Sequence, residues 1–254
     1  MNQVSGALLL LFAWILSAGE STAQSSSATH TQSPEDDRKA AITVVLAHEQ
    51  MCQSYDFDKF DSLHTPDFRG IEESYPQPRN KADFVEDYKA LRDAGVHIDY
   101  HPQDAVAQVR GDVAWVTITL HSVWTAATPE GKAILDGNEW HATFVETHVL
   151  VRTPDGWKIA LGHTTKLPPD FGIEVDYHQK HGGVKIAEVS KHGPADKAGL
   201  KPGDVLIEYG HQRIDTPVDL DRLKYVHDEG EKVTVVVMRG NEKITRAVTL
   251  EAMK

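Results

Sequence analysis

The amino-acid sequence predicts an α+β protein built from two domains. Three observations support this prediction. Apolar residues recur at helical spacing up to about residue 94, and between residues 105 and 166 the spacing changes to the alternation typical of antiparallel strands. A proline-rich break at residues 167–170 then precedes a second run of strand and turn signals. A chain of 254 residues is also long enough for two separate hydrophobic cores.

The N-terminus has the pattern of a secretory signal. An apolar run at residues 7–18 precedes small and polar residues that end in Ser21-Thr22-Ala23, an A-x-A-like cleavage site. We therefore expect residues 1–23 to be a signal peptide and the protein to be exported, either periplasmic or secreted. The sequence MNQVSG before the run has no charged side chain, so an uncleaved membrane anchor is the alternative. Residues 24–37, rich in Ser, Thr and acidic residues, are predicted to form a flexible tether.

Charge and cysteine content exclude some functions. The formal net charge of -12 argues against a nucleic-acid partner, because binding nucleic acid normally requires a concentrated basic face. Cys52 is the single cysteine, so no intramolecular disulfide can form. It falls on a predicted helix face and is expected to be a buried apolar residue.

Two helices are predicted in the N-terminal domain, residues 38–166. The first runs from Lys39 to Ser54, where three- and four-residue spacings connect Ile42, Val45, Leu46, Glu49 and Cys52. The second runs from Lys81 to Ala94, with Phe84, Tyr88 and Leu91 on one face and Gly95 as its stop.

Strands follow the helices. Alternation predicts four of them: Ala105–Val109, Val113–Thr125, Glu139–Arg152 and Gly156–Lys166. On the second strand, alternation separates a mainly apolar face from a more polar one. We expect the more polar face to line a pocket, and its members are Trp115, Thr117, Thr119 and His121.

Histidines and one glutamate are the candidate catalytic groups of this domain. Glu146 and His148 share a face of the third strand, and His121 and His163 lie on the strands to either side. A histidine with a carboxylate can abstract a proton from a carbon acid near neutral pH. The alternative is that these groups only satisfy one another. Metal binding by His141, His148 and His163 lacks any short ligand spacing, so no metal or cofactor is predicted.

Residues 38–166 resemble the nuclear transport factor 2-like (SnoaL-like) family. The resemblance lies in the first helix running into Tyr55–Phe68, the second helix after Arg79, the long strand from Val113, and the strand pair Glu146–Lys166. It implies a cone, in which a curved antiparallel sheet wraps around helices and encloses a pocket. Family members often carry a pocket histidine at the position of His163. Such cones bind a small molecule, catalyse proton transfers or serve as assembly modules, so fold alone does not decide function.

Residues 167–254 resemble the PDZ domains of bacterial high-temperature-requirement proteases. The run GPADKAGLKPGDVLI at 193–207 carries most of the resemblance, together with FGIEVDY at 171–177, a helix at 218–227 and strands at 232–239 and 243–250. It implies a β-sandwich or barrel with two helices, whose edge strand pairs with a peptide while backbone N–H groups hold a C-terminal carboxylate. The implied peptide-binding residues form an apolar pocket and helix face: Phe171, Gly172, Ile173, Val175, Asp219 and Leu223.

Two hypotheses about function follow. The first is an exported, noncatalytic adaptor, whose PDZ domain captures apolar C-termini or internal strands of other exported proteins while the cone forms a homodimer or holds a small ligand. The second is a cone-domain enzyme, an isomerase, dehydratase or hydrolase, for which the PDZ domain recruits partners. A protease is not expected, because no G-x-S-x-G element occurs.

Overall fold

The structure, a computed structural model, describes residues 33–72, 75–178 and 182–253. The predicted signal peptide and most of the predicted tether lie outside these residues. Among the helices of the described part, none is both long enough and apolar enough to span a bilayer.

Four helices belong to the N-terminal domain. They are α1 (Pro34–Ser54), α2 (Phe60–Leu63), α3 (Lys81–Asp93) and α4 (Pro129–Leu135), with a 3-10 turn at Phe57–Lys59 before α2. The prediction of a tether up to Asp37 was wrong at its end, because α1 begins at Pro34. Ser33 caps this helix by accepting a hydrogen bond from the Asp36 N–H, and Asp37 is buried.

Five strands form one sheet in this domain. They are β1 (His64–Glu72), β2 (Val96–Arg110), β3 (Val113–Ala126), β4 (Glu139–Thr153) and β5 (Gly156–Lys166). Their order is β1-β5-β4-β3-β2, with β1 parallel to β5 and the other pairs antiparallel. Three predicted strands are present with nearly the predicted bounds, β2 is longer than predicted, and β1 was missed. Its sequence, HTPDFRGIE, contains a proline and no regular alternation.

The apolar face of the sheet covers α1 and forms the core. On β3 this face carries Ala114, Val116, Ile118 and Leu120, all at most 1% exposed. Val45 and Met51 of α1 are equally buried, and the two elements pack against each other. Burial of the apolar face therefore fixes which side of each strand faces the inside of the cone.

The C-terminal domain is a second, mainly antiparallel sheet with two helices. Its elements are β6 (Ile173–Val175), β7 (Val184–Val189), α5 (Pro194–Lys197), β8 (Val205–Tyr209), β9 (Gln212–Arg213), α6 (Pro217–Lys224), β10 (Lys232–Arg239) and β11 (Glu242–Thr249). The strand order is β11-β10-β8-β7-β6, with β9 paired to β8. Helix α6 ends three residues before the predicted His227, since residues 225–227 continue as turn structure.

Candidate functional site

A cavity of about 520 Å³ lies inside the N-terminal domain. The sheet contributes one wall, and α1 and α3 contribute the other. Its lining combines aromatic side chains with ionisable ones, including Tyr88, Tyr100, Trp124, Glu49, Glu146 and Arg79. A cavity of this size and composition is typical of small-molecule sites.

Two carboxyl groups and one imidazole meet at the edge of this cavity. His148 Nε2 lies 3.1 Å from Glu146 Oε2 and 3.6 Å from Glu49 Oε1. All three residues are less than 8% exposed. Glu146 is also held by Thr164, whose Oγ1 donates to Oε1 over 3.2 Å. We refer to Glu49, Glu146 and His148 as the buried triad.

Glu49 and Glu146 form a close pair of buried carboxyl groups, with an oxygen of each within 4.8 Å of the other. Burial raises the pKa of the Glu49 carboxyl group well above its usual range, and the charge of Glu146 and a hydrogen bond between the two groups raise that pKa further. Two carboxylates this close in a desolvated site cannot both be ionised without a compensating cation. Glu49 Oε1 has no hydrogen-bond partner among the described residues.

Beside the triad, a chain of neutral side chains crosses the core. His64 Nδ1 lies 2.8 Å from the Phe60 carbonyl oxygen, so this nitrogen carries the proton. His64 Nε2 then accepts from His48 Nδ1 over 3.0 Å, and His48 Nε2 faces the Cys52 thiol at 3.8 Å. Burial lowers the pKa of His48 well below its usual range and that of His64 to about 4, and burial raises the pKa of the Cys52 thiol.

Arg79 contributes a buried positive charge to the lining of the cavity. Its side chain is 7% exposed, with Nη2 2.6 Å from Asp87 Oδ2 and Nη1 3.8 Å from Glu72 Oε1. The guanidinium also stacks on the Tyr75 ring at 4.0 Å. Arg79 is therefore paired with carboxylates other than those of the buried triad.

The structure separates the four predicted catalytic residues. Glu146 and His148 lie together on the inner face, as their spacing predicted. His121 pairs across the sheet with Thr143, and His163 pairs with Thr147, so both point to the outer face. The prediction that the face with Trp115, Thr117, Thr119 and His121 lines the pocket was wrong. The apolar face of β3 turns inward because it must cover α1, and its residue Trp124 lines the cavity instead.

The C-terminal domain contributes to the rim of the cavity. Tyr225, just after α6, lines the rim together with Trp140, Phe144 and Lys166. Asp228 forms an ion pair with Lys166 and accepts from Trp140 Nε1 over 3.0 Å. Glu229 accepts from Thr143 Oγ1 over 2.5 Å, and Thr143 Oγ1 lies 2.8 Å from His121 Nδ1. His121 thus belongs to a contact between domains.

In the C-terminal domain, β6 forms one edge of the sheet. It pairs with β7 on one side, and no described strand pairs with its other side. Ile173 and Val175 pack partly buried against the domain core, as does Leu223 of α6. An unpaired edge beside apolar side chains is the arrangement that accepts an added peptide strand.

The loop before β6 has a left-handed glycine. Gly172 has φ of +75°, and a Cβ atom on it would lie 2.9 Å from Pro194 Cδ, so glycine is required here. Its N–H, which the resemblance assigns to a peptide carboxylate, donates to Asp170 Oδ1 over 2.7 Å. The Gly172 N–H is therefore already hydrogen-bonded to a carboxylate of the protein itself.

Two of the residues implied to bind a peptide, Phe171 and Asp219, have evident structural roles. Phe171 is 3% exposed and packs edge-on against Tyr209, with ring centroids 5.3 Å apart. Asp219 Oδ2 accepts from the N–H groups of Asp215 and Thr216 and from the Thr216 hydroxyl, which makes it part of a capping box for α6. Contact of either residue with a peptide stays a prediction.

Family comparison agrees with this architecture. A model described as a SnoaL-like domain matches residues 28–165, which is more than half of the chain. The chain belongs to the SnoaL-like domain family. A PDZ domain model matches residues 169–250 directly after it. The predicted fold class, an α+β cone followed by a PDZ domain, is thereby confirmed.

Two serine proteases are similar to this chain over less than a third of its length. A Probable periplasmic serine endoprotease DegP-like from Hahella chejuensis is 37% identical over 71 residues, or 28% of this chain and 15% of that protein. Serine protease HTRA1 from Xenopus tropicalis is 37% identical over 75 residues, or 29% of this chain and 16% of that protein. These matches fall in the PDZ domain, and the chain spans less than a fifth of either protein.

Among solved structures, the Kfla4162 protein from Kribbella flavida is similar to the SnoaL-like part. It covers 53% of this chain and 93% of its own length, with 19% identity and a TM-score of 0.47.

Several cavity residues were missed from sequence, above all Glu49. Helical spacing did place it on the core-facing side of α1, and a glutamate at such a position is itself a signal, because a carboxyl group is seldom buried without a partner or a function. His48 and Arg79 gave no comparable signal. Their partners lie on other elements that only the folded chain brings close.

Proposed function

We propose that the protein is an exported peptide-binding adaptor, in which the PDZ domain captures apolar C-termini or extended segments of other exported proteins and the SnoaL-like domain holds a small ligand. The unpaired edge of β6 is the observation that carries this proposal. A bound peptide would add a strand to the sheet at that edge, and its side chains would contact Ile173, Val175 and Leu223. Export is the expectation drawn from residues 1–23.

The small-ligand part of the proposal rests on the cavity. About 520 Å³ is enough for a molecule of modest size, and the cavity offers aromatic rings for packing and ionisable groups for orientation. Homodimer formation by this domain remains a prediction. If two copies associate, the two PDZ domains would raise avidity without any new contact.

Selection of peptides on the full chain tests the adaptor function. Libraries with free C-termini and with internal sequences would be compared on the wild type, Leu223→Ala and Leu223→Lys. We expect apolar C-termini or strands to be enriched, and both variants to weaken binding, the lysine more strongly. Arg222→Ala is the matched control, because this side chain is on the same helix and is 76% exposed.

The adaptor proposal fails if no peptide is enriched over background. It also fails if the enriched peptides bind Leu223→Ala and Arg222→Ala equally well. Circular dichroism of each variant shows whether weakened binding reflects loss of the groove or loss of the fold, and Leu223→Ala is the milder of the two substitutions.

The buried triad favours a second candidate, an enzyme active in the cone. A close pair of buried carboxyl groups beside a cavity is a common arrangement for acid–base catalysis. Compounds that raise the melting temperature of the wild type would be incubated with it and with Glu146→Gln. Enzyme activity predicts that some are consumed by the wild type and recovered unchanged from the variant. Recovery of every compound from both proteins rejects this candidate.

A further inference from the structure

We propose that Glu49, Glu146 and His148 form a binding site for a divalent transition-metal ion of the Zn²⁺ type at the edge of the cone cavity. This site is distinct from the proposed peptide-binding edge of the PDZ domain. The test of metal binding does not depend on whether the PDZ domain binds peptides. The observations behind it are the ligand types, their spacing, their burial and an unsatisfied oxygen.

The spacing of the donor atoms fits a tetrahedral ion. One oxygen of each glutamate and one nitrogen of His148 all lie within 4.8 Å of one another. Metal–ligand bonds of about 2.0–2.2 Å in a tetrahedron place neighbouring ligand atoms about 3.4 Å apart. The two distances from His148 Nε2, 3.1 Å to Glu146 and 3.6 Å to Glu49, bracket this value.

The unsatisfied oxygen provides an independent indication of a missing ligand. Glu49 Oε1 has no hydrogen-bond partner among the described residues, and the Glu49 side chain is only 5% exposed. It points at the same place as Glu146 Oε2 and His148 Nε2. Leaving a buried polar atom unpaired destabilises the folded protein, and coordination of a cation would remove that penalty.

Charge also balances at this position. Two carboxylates and a neutral imidazole carry two negative charges, which one divalent ion neutralises. The guanidinium of Arg79 is already paired with Asp87 and Glu72, and the nearby His48 and His64 are neutral. A divalent ion bound by these three ligands would therefore leave the site electrically neutral without any contribution from Arg79.

The ligand set selects among metals. An imidazole ligand suits Zn²⁺ and its neighbours in the first transition row, whereas Mg²⁺ and Ca²⁺ favour all-oxygen sites. Three protein ligands leave a fourth position, and Glu49 and Glu146 line the cavity from which a small molecule would reach it.

The surroundings of the ligands set the expected strength. Thr164 orients Glu146 through Oε1, leaving Oε2 for the metal. His148 Nδ1, by contrast, has no partner among the described residues and lies against Gly162. An unsupported histidine typically lowers metal affinity by about 10–100-fold, so we expect a dissociation constant in the micromolar range.

Calorimetric titration of the metal-stripped full chain with ZnCl₂ tests the proposal, with MgCl₂ as the comparison. We expect one Zn²⁺ per chain at this site and Mg²⁺ binding about 100-fold weaker or absent. Glu49→Gln keeps the size of the side chain but removes its charge, and Glu146→Gln does the same on β4. Each should weaken Zn²⁺ binding by at least about 100-fold, the upper end of the effect of losing an outer-shell contact, because it removes a charged ligand.

Residues Glu139 and His141 offer a matched control. They form a Glu–His pair on the same strand with the same spacing as Glu146 and His148, but both are exposed at the surface. His141→Ala should leave Zn²⁺ binding unchanged. The metal-site proposal is overturned if Zn²⁺ binds no better than Mg²⁺, if binding survives in both glutamine variants, or if His141→Ala abolishes it.

Discussion

The carboxylate of Asp228 in the PDZ domain accepts a hydrogen bond from the indole Nε1 of Trp140 in the SnoaL-like domain, with 3.0 Å between the two atoms. Asp228 also pairs with Lys166, whose ammonium group lies 5.6 Å from the Trp140 ring centroid. These contacts follow α6, the helix beside the peptide-binding edge, by only four residues. The segment that follows α6 thus contacts the rim of the cone cavity.

A double-mutant cycle measures how strongly this contact joins the domains. Asp228→Asn and Trp140→Phe would be made singly and together in the full chain, and the free energy of unfolding would be determined in urea. We expect a coupling energy of about 1 kcal/mol, because one partner of the hydrogen bond is charged and the contact is partly buried.

A control cycle uses Glu188 in place of Asp228. Glu188 is an exposed residue of β7 in the same domain. Glu188→Gln combined with Trp140→Phe should give no coupling. Equal coupling in the two cycles would mean that the Asp228 contact does not form in solution.

Arg79 should be important for stability because its buried guanidinium contacts two carboxylates and an aromatic ring. Arg79→Ala would leave Asp87 and Glu72 without their cation and expose the Tyr75 ring. We expect a loss of about 3 kcal/mol in the free energy of unfolding. Arg79→Lys should recover only part of it, since an ammonium cannot reproduce the planar stacking on Tyr75 while contacting both carboxylates.

Denaturation in urea checks this prediction, with Arg110→Ala as the control. The Arg110 side chain is exposed and its one described hydrogen bond is to the neighbouring Val109 carbonyl. If Arg79→Ala destabilises the protein no more than Arg110→Ala, the ion pairs of Arg79 with Asp87 and Glu72 do not form in solution.

His64 should make the protein sensitive to acid. Its pKa is about 4 in the folded state, against an ordinary value of 6.5, mainly because it is buried. The unfolded chain therefore binds more protons at this position between pH 6.5 and pH 4, and the free energy of unfolding decreases as the pH falls through that range. The full contribution is about 3 kcal/mol, present above pH 6.5.

Comparison of the wild type with His64→Leu isolates this effect from other acid-sensitive groups. Urea denaturation of both proteins at pH 7 and at pH 4.5 gives two differences in stability. We expect the wild type to lose about 2 kcal/mol more than the variant over this range. Parallel losses in both proteins would contradict a neutral, buried His64.

The sequence was most informative where local patterns determine the structure. Alternation predicted β3 to β5 almost to the residue, and apolar spacing predicted α3, because both patterns report burial directly. The inner face of β3 was misassigned, since polarity alone does not tell whether a face meets a pocket or the solvent. In this domain, the packing of α1 against the apolar face of β3 determines which face lies inside the cone.

The candidate site was only half predictable for a related reason. Glu146 and His148 are two residues apart on one strand, so their proximity follows from strand geometry. Their third partner, Glu49, lies about 100 positions earlier in the chain on α1. Such a contact depends on how the helix packs across the sheet, and nothing local in the sequence reports that.

Asp170 should regulate which peptides the PDZ groove accepts. Its carboxylate occupies the Gly172 N–H, the donor that a peptide's C-terminal carboxylate would use, and it adds a negative charge to the loop. A free C-terminus must displace this bond and approach a like charge, whereas an internal strand pairs with the edge of β6 without involving the loop.

Replacing Asp170 should therefore improve binding of free C-termini selectively. Asp170→Asn removes the charge but keeps an acceptor oxygen, while Asp170→Ala removes both. We expect affinity for an apolar peptide with a free carboxylate to increase about tenfold in Asp170→Ala and less in Asp170→Asn. The same peptide with an amidated C-terminus should bind all three proteins equally, as measured by fluorescence anisotropy. Weaker binding of the free carboxylate to Asp170→Ala would show instead that Asp170 holds the loop in its binding conformation.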